Sequence, residues 1–595
     1  MKQLSKLPLG QRRWLTAAVF VAALAARLFF WQATPDRGWP HSAVYKGDAV
    51  TWVEWANAIE TGKEFELGLP IRPPGNAYLL AALGVTGPET LPRGKLVWCL
   101  LGALAVTGFF VAARAAFGLR VALIVAAWTG FSTALMGLSS SLNNETPYLA
   151  LIAVLLLIAA RLREQPSTEF LAAWGAVNGI TCLFRVEHLL FVVLVTLWLT
   201  WRWWDADKKR SAKKPAQRLA WIAAAFAAVL IPWHAAAWRE IDRFNTREPR
   251  LEGPAESAQT AIEGATSHLE WTPGARSERD RLPAFLRRSM GNFVAATVMV
   301  RGGMRVTEES FESLDGAFGY RPEALSRRPF VALYGPLNFY LAHGPRSAAG
   351  FRREALDRPP DLAGGAGRYP RMLLAGLPPN DLTFAYPPHL EAVNHGYGMG
   401  LSWIRENPAE TLGRTWERLW IFWQGASGGW TGWGLPCGSA GVRRAVDLAV
   451  PTGGEMRSWR LALLAVCGLG IWRGSRSPEL VPWLLILATK LAATVLFFGY
   501  ARHGATCVPV IALLAAVAIL GPGGDEKSSE PRITAATYRK WRLGAVVAAV
   551  LALGLELYRA VDPPRVLLDG QGIENGDPFP VKDHQDRRLE YARGK

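Results

Sequence analysis

Cysteine is scarce in this chain, with five in 595 residues. Cys99, Cys182, Cys467 and Cys507 fall inside apolar runs, and only Cys437 lies in a polar stretch, so no disulfide framework is implied. No cysteine–histidine spacing matches a structural metal site. Internal repeats are missing too, and a repeat between halves is what many transporters show. Carboxylates are outnumbered: 49 Asp and Glu face 66 Lys and Arg, for a net charge of +17. That excess is not a nucleic-acid footprint, because the basic residues are scattered over loops rather than gathered on one face. Lys and Arg are in turn nearly absent from every second short loop, and this alternation carries information about topology.

What the chain has in abundance is apolar sequence. Half of its residues are hydrophobic and the mean hydropathy is +0.11, high for so basic a protein. The apolar residues form blocks of roughly 17–22, long enough to cross a hydrocarbon core. Eleven spans are expected, near 14–33, 95–113, 121–138, 146–162, 170–184, 188–204, 217–237, 458–473, 479–499, 505–521 and 542–560, the fifth being short. The fold class is therefore all-α, a polytopic membrane protein. The first span lacks a small-residue cleavage site and is followed by more spans, so it is not expected to be a cleaved signal.

Basic residues assign the sides. Lys2, Lys6, Arg12 and Arg13 precede the first span, Arg114 and Arg120 follow the second, and Arg161 and Arg163 follow the fourth. Lys208 to Lys214, Arg473 with Arg476, and Lys527 to Arg542 mark later loops of the same kind. By the positive-inside rule these loops are cytoplasmic. Four regions follow: a membrane block over 1–237 with its first external loop at 34–94, an extracytoplasmic domain over 238–457, a second membrane block over 458–560, and a polar external tail over 561–595.

The first external loop is unusual for a simple connection. Asp48 precedes an amphipathic run of Trp52, Trp55, Ala56 and Ile59, and the loop closes on Arg72-Pro73-Pro74-Gly75. Asp48 has two readings, a cap for the helix that follows or an acid held at the membrane surface. Glu145, at the external end of the fourth span, either favours a helix N-terminus or converges with Asp48. Two such carboxylates could activate a hydroxyl or hold a divalent ion. Arg72 is stiffened by the prolines after it. Arg185 and Glu187 interrupt an apolar run, either as a structural pair or facing a polar cavity. Arg502 and His503 occupy a short external loop, as snorkelling anchors or as site residues. Lys490, mid-span, must find a partner. Asn407-Pro408-Ala409-Glu410 predicts a helix start. Leu412, Trp416, Leu419, Trp420 and Trp423 then give an aromatic face over 407–423, suited to the lipid interface or to packing on the external domain.

Taken in order, these motifs resemble the GT-C glycosyltransferases, in particular the bacterial protein O-mannosyltransferase and aminoarabinose-transferase branch. The likeness runs through Asp48, Gly62, Phe65 and Arg72-Pro73-Pro74-Gly75, then Asn143-Asn144-Glu145, Leu183-Phe184-Arg185 and Ile231-Pro232-Trp233. It continues through Leu337-Asn338-Phe339-Tyr340 with Gly344-Pro345 and Gly350, Ile404 to Pro408 with Phe422-Trp423, and Tyr500-Ala501-Arg502-His503 with Pro509. Asn76-Ala77 stands where that family often has Tyr-Pro, His503 replaces a frequent Tyr, and residues near 245–330 resemble an insertion.

The resemblance implies an enzyme of the inner membrane that uses a polyprenyl-phosphate sugar on the extracytoplasmic face, with a protein, lipid or glycan as acceptor and inversion at the anomeric carbon. It implies Asp48 as general base, with Glu145 orienting the acceptor or sharing a divalent cation. It implies Arg72, Arg185, Arg502, His503 and Lys490 as the cations around the departing lipid phosphate. Membrane lipids are expected partners and nucleic acid is not. The competing readings are a lipid or sugar transporter or flippase, a non-catalytic lipid-binding scaffold, and an oligosaccharide ligase or polymerase.

Overall fold

The computed structural model describes residues 9–33, 48–63, 69–207, 213–247, 270–271, 304–305, 324–326, 328–345, 347–349, 387–427 and 457–522. The chain divides into two units. The first comprises 1–65, 73–233 and 414–595, and the second 66–72 and 234–413. The expected span at 542–560, Cys437, the tail after 560 and most of the 245–330 insertion lie outside the described residues.

Among its described residues the first unit is built of helices joined by short turns and loops. In chain order it holds α1 (Leu9–Ala33), α2 (Asp48–Thr61), α3 (Gly75–Ala82), α4 (Leu91–Phe117), α5 (Leu119–Phe131), α6 (Thr133–Leu138), α7 (Glu145–Glu164), α8 (Thr168–Phe184) and α9 (His188–Asp207). α10 (Lys213–Arg247) does not stop at 237 but continues into the second unit, with Pro232 inside it. Among the described residues, five helices are long and apolar enough to cross a bilayer: Arg13–Trp31, Leu91–Phe117, Glu145–Glu164, Lys214–Thr246 and Pro478–Leu496. Shorter apolar helices cover Leu119–Phe131, His188–Trp204 and Val508–Leu520. The described helices thus include a set able to span a membrane by length and composition, and eleven spans are not confirmed.

One expected span is broken. The apolar run at 121–138 reads as continuous, yet the helix stops at Phe131 and restarts at Thr133. Ser132 adopts an extended conformation and its Oγ accepts from Leu135 N at 3.4 Å. A break in apolar surroundings strands carbonyls that need donors. Arg27 of α1 supplies them: its guanidinium donates to Gly130 O (3.2 Å), Thr129 O (3.5 Å), Ser139 Oγ (3.0 Å) and Ala23 O (3.0 Å). An arginine in an apolar helix is tolerated here because its guanidinium donates to four acceptors, two of them the carbonyls left at the break.

The remaining helices of this unit are α14 (Arg457–Gly474), α15 (Val481–Leu496), α16 (Ala501–Ala505) and α17 (Val508–Leu520). α17 is apolar all round and buried from Val508 to Ala518, as suits a central helix. It packs on α14 and α5, while α4 packs on α1 and α7.

The second unit contains α11 (Tyr334–His343), α12 (Pro387–Glu406) and the start of α13 (Pro408–Ala426), with a two-residue antiparallel pair, Glu270–Trp271 with Met304–Arg305. α11 and α12 pack closely where Gly396 meets Pro336 O. The segment before α11 is pinned by side-chain amides: Asn245 and Asn394 bond the backbone of Leu325, Ser326 and Ala324. Leu333 N and Tyr334 N donate to Pro70 O and Ile71 O at 2.8 and 3.3 Å, which ties residues 69–72 to this unit.

α13 starts at Pro408 as its sequence predicts, but its aromatic face is divided between exposed and buried positions. Leu412 and Trp416 are exposed, whereas Arg418, Phe422, Trp423, Gly425 and Ala426 are buried. Gly425 lies against Ala501 O and Gly504 against Phe422 O so closely that an added Cβ would fall 1.7 and 1.8 Å from those oxygens. Trp423 Nε1 donates to Arg460 O at 3.1 Å. The C-terminal half of this helix is therefore a backbone-to-backbone buttress for α16.

Candidate active site

Three helix termini of the first unit deliver the charged residues. α2 begins at Asp48, α7 begins at Glu145, and α8 ends at Phe184, immediately before Arg185 and Glu187. α16 contributes Arg502 and His503, and α15 contributes Lys490. The meeting is set by close backbone contacts. Gly75, which opens α3, lies against Leu183 O (2.9 Å from an added Cβ) and Phe184, so the Arg-Pro-Pro-Gly corner and the Leu-Phe-Arg motif abut only because residue 75 lacks a side chain.

The turn into α7 is strained. Leu142 is fully buried with φ of 58°, a left-handed conformation that a bulky side chain rarely adopts. Asn76 Nδ2 donates to Leu142 O at 2.9 Å and Trp98 Nε1 donates to Asn143 O at 2.8 Å, which holds the turn in place. Such strain persists where surrounding structure over-determines it, commonly at functional sites.

Arg502 joins the two acids. Its Nη2 donates to Asp48 Oδ2 at 2.7 Å and its Nε lies 3.6 Å from Glu145 Oε1. Arg185 forms the next link, donating through Nη1 to Glu145 Oε1 (2.7 Å) and Asn144 Oδ1 (3.2 Å) and through Nε to Glu187 Oε1 (2.5 Å). Lys490 Nζ completes the chain on Glu187 Oε1 at 3.0 Å. Six charges thus alternate in one network, three carboxylates against three cations. Arg185 Nη2 also bonds His503 Nε2.

Burial shapes the protonation of this network. Burial alone would raise the Glu187 carboxyl, but the positive charges of Arg185 and then Lys490 hold it well below the usual carboxylate range. Burial would lower Arg185, yet Glu187 and then Glu145 raise it, so it stays charged. His503 is pushed well below its ordinary value by burial and then by Arg185. It is therefore neutral, with Nε2 accepting from the Arg185 guanidinium and the ring proton on Nδ1.

Of the residues singled out from sequence, Asp48, Glu145, Arg185, Arg502, His503 and Lys490 come together. Arg72 belongs to the second unit and is half-buried, just after a tight turn in which Ile71 N donates to Leu69 O at 2.8 Å. Arg502 is buried and paired rather than snorkelling. Sequence reasoning missed Tyr148, whose ring carries Lys490 Nζ at 4.1 Å and Arg185 Cζ at 5.8 Å. The signal was its position one turn after Glu145 on the same helix face. Tyr500, read from sequence only as part of its motif and given no role there, is edge-on against His503 (4.7 Å) and lies under Arg502.

Among the described residues some buried polar atoms near the start of α7 have no hydrogen-bond partner: Glu145 Oε2, both amide atoms of Asn143, and Thr146 Oγ1. Unpaired polar atoms buried together are a place for water or a polar ligand. The donor set for a divalent cation fits poorly. A guanidinium takes the position between Asp48 and Glu145, and no group of three or more His, Cys, Asp or Glu that could hold a metal occurs among the described residues.

No protein-family model matches the sequence, and no curated protein does. Two chains of solved structures do match, both the Archaeoglobus fulgidus oligosaccharyltransferase. One is tethered to an acceptor peptide containing the NVT sequon, with 11% identity, a TM-score of 0.35 and coverage of 93% of this chain and 56% of that one. The other is a complex with Zn and sulfate, with 12% identity, a TM-score of 0.35 and coverage of 94% and 53%. This chain thus spans little more than half the length of those it matches. Overlap this loose leaves the function to be argued from the residues of the chain itself.

Proposed function

We propose that the first unit is a membrane glycosyltransferase of the GT-C kind, moving a sugar from a polyprenyl-phosphate donor to a hydroxyl or amine on the extracytoplasmic side. The observation that carries the reading is Arg502 bridging Asp48 and Glu145 at one end of an apolar helix bundle. An acid and a fixed cation side by side are what such a transfer needs. Asp48 takes the acceptor proton as the acceptor atom attacks the anomeric carbon from the face opposite the leaving group. The bond from that carbon to the phosphate oxygen breaks, and the electron pair leaves with the lipid phosphate. Negative charge grows on that phosphate, so Arg502 and Arg185, both preorganised, favour the transition state over the ground state. In the free protein Arg502 is held by Asp48, and an arriving phosphate competes for it and frees the base. Glu145, with its unpaired Oε2, orients the acceptor. No step requires a divalent ion.

The test is genetic and chemical together. Cells lacking the chain are expected to accumulate a polyprenyl-phosphate sugar, read by lipid mass spectrometry. Wild-type protein clears it and Asp48→Asn does not, with transfer reduced by about 10²–10⁴-fold, the usual contribution of a positioned base. Clearance by Asp48→Asn at the wild-type rate removes Asp48 from the role. No accumulated donor in the deletion cells removes the reaction.

A further inference from the structure

A cavity lies at the other end of α7, away from the acid–base cluster. It has a volume of about 980 Å³, near the top of the range of about 300–1,000 Å³ seen for small-molecule pockets. Its walls come from α1, α4, α7 and α15, with Phe170 of α8 and Trp198 of α9, and are mainly apolar, Phe20, Leu104 and Val154 among them. On α7 the lining runs from Val154 to Glu164. At 1.5 Å rise per residue that is about 15 Å, half of a hydrocarbon core of about 30 Å. The cavity therefore follows one leaflet from the bilayer middle to its surface.

The rim at that surface is basic. Arg13, Arg114, Arg161 and Arg163 surround it, against Glu164 and Glu479. Arg163 is committed to Glu479 at 2.5 Å, with Glu164 at 4.0 Å. Arg13 and Arg161 are exposed at the mouth. By the positive-inside rule this end faces the cytoplasm, where anionic lipids concentrate. An apolar slot one leaflet deep under a ring of guanidinium groups matches one molecule in both chemistry and length.

We propose that this cavity binds an anionic phospholipid of the cytoplasmic leaflet, with an acyl chain between α1, α4 and α7 and the phosphate at Arg13 and Arg161. The site is independent of the transfer reaction, since none of its residues belongs to the cluster at Asp48.

Native mass spectrometry of the full-length protein, released from nanodiscs of mixed phosphatidylglycerol and phosphatidylcholine, tests it. The wild-type protein should retain phosphatidylglycerol in preference to phosphatidylcholine. The double variant Arg13→Gln, Arg161→Gln should lose that preference by about thirtyfold, as expected for two cations near a membrane surface. Ala17→Trp, which fills the slot without changing charge, should lower retention of phosphatidylglycerol while leaving the arginines in place. Equal retention of the two lipids by the wild-type protein overturns the proposal, whatever the variants do. So does undiminished phosphatidylglycerol retention in either variant. Displacement of the lipid by millimolar inorganic phosphate alone would make the rim a free-anion site and overturn the acyl-chain part.

Discussion

Glu187 is where the charge balance of the cluster is most exposed to perturbation. Its Oε1 accepts from Arg185 at 2.5 Å and from Lys490 at 3.0 Å, and the Lys490 side chain is 0% exposed. Glu187→Gln keeps the shape and removes the charge. Arg185 retains Glu145, but the Lys490 ammonium is left with the Tyr148 ring, an interaction it already had. Removing one partner of a buried pair costs about 3–5 kcal/mol. Glu187 is 17% exposed, so a value near the lower limit, about 3 kcal/mol, is expected. Lys490→Met is milder, because Glu187 keeps Arg185 and a buried charge is removed along with its hydrogen bond, for a cost of about 1 kcal/mol. The double variant has no orphaned ammonium, and the coupling energy should reach about 2 kcal/mol. Unfolding by SDS in mixed micelles, run on the four proteins of this cycle, measures it. If Lys490→Met costs as much as Glu187→Gln, or if the two costs simply add, the network does not balance as described.

Three further outcomes follow from the same geometry. His503 is neutral in the folded chain and titrates near pH 6.5 once unfolded, so the unfolded state binds the extra proton. Stability is then fully present above about pH 6.5 and falls by about 1.4 kcal/mol per unit below it, until the folded His503 itself protonates. His503→Gln should flatten this slope between pH 7.5 and 5.5, and an unchanged difference between the two proteins would contradict the neutral ring. Gly504→Ala places a Cβ 1.8 Å from Phe422 O; it should cost about 3 kcal/mol or more in thermal and detergent stability, since backbone must move. Arg27→Met leaves the carbonyls at the 131–133 break without their donor and should destabilise by about 2–4 kcal/mol, with Arg27→Lys recovering only part, because a point charge cannot serve four acceptors at once.

Much of the candidate site could be read from the chain because its residues violate local expectation. A lysine within an apolar span and an Arg-Val-Glu interruption are costly unless paired, so Lys490, Arg185 and Glu187 announce that partners exist. Which partners they take is a different matter. Glu187 lies two residues from Arg185 but 303 residues from Lys490, and Arg502 reaches across 454 residues to Asp48. Tyr148 looked like any aromatic in a span until two cations were found on its ring. Asn76, which in sequence is only a departure from a familiar motif, holds the strained turn at Leu142.

The apolar helices, the alternation of basic loops and the presence of charges that must be neutralised are legible residue by residue, since each follows from the cost of placing a polar group in hydrocarbon. Only the tertiary structure decided that the apolar run at 121–138 breaks at Ser132, that α13 turns inward to buttress α16, and that one guanidinium stands between Asp48 and Glu145. These depend on backbones approaching within a few ångströms and on donors arriving from distant helices. No local pattern encodes such contacts.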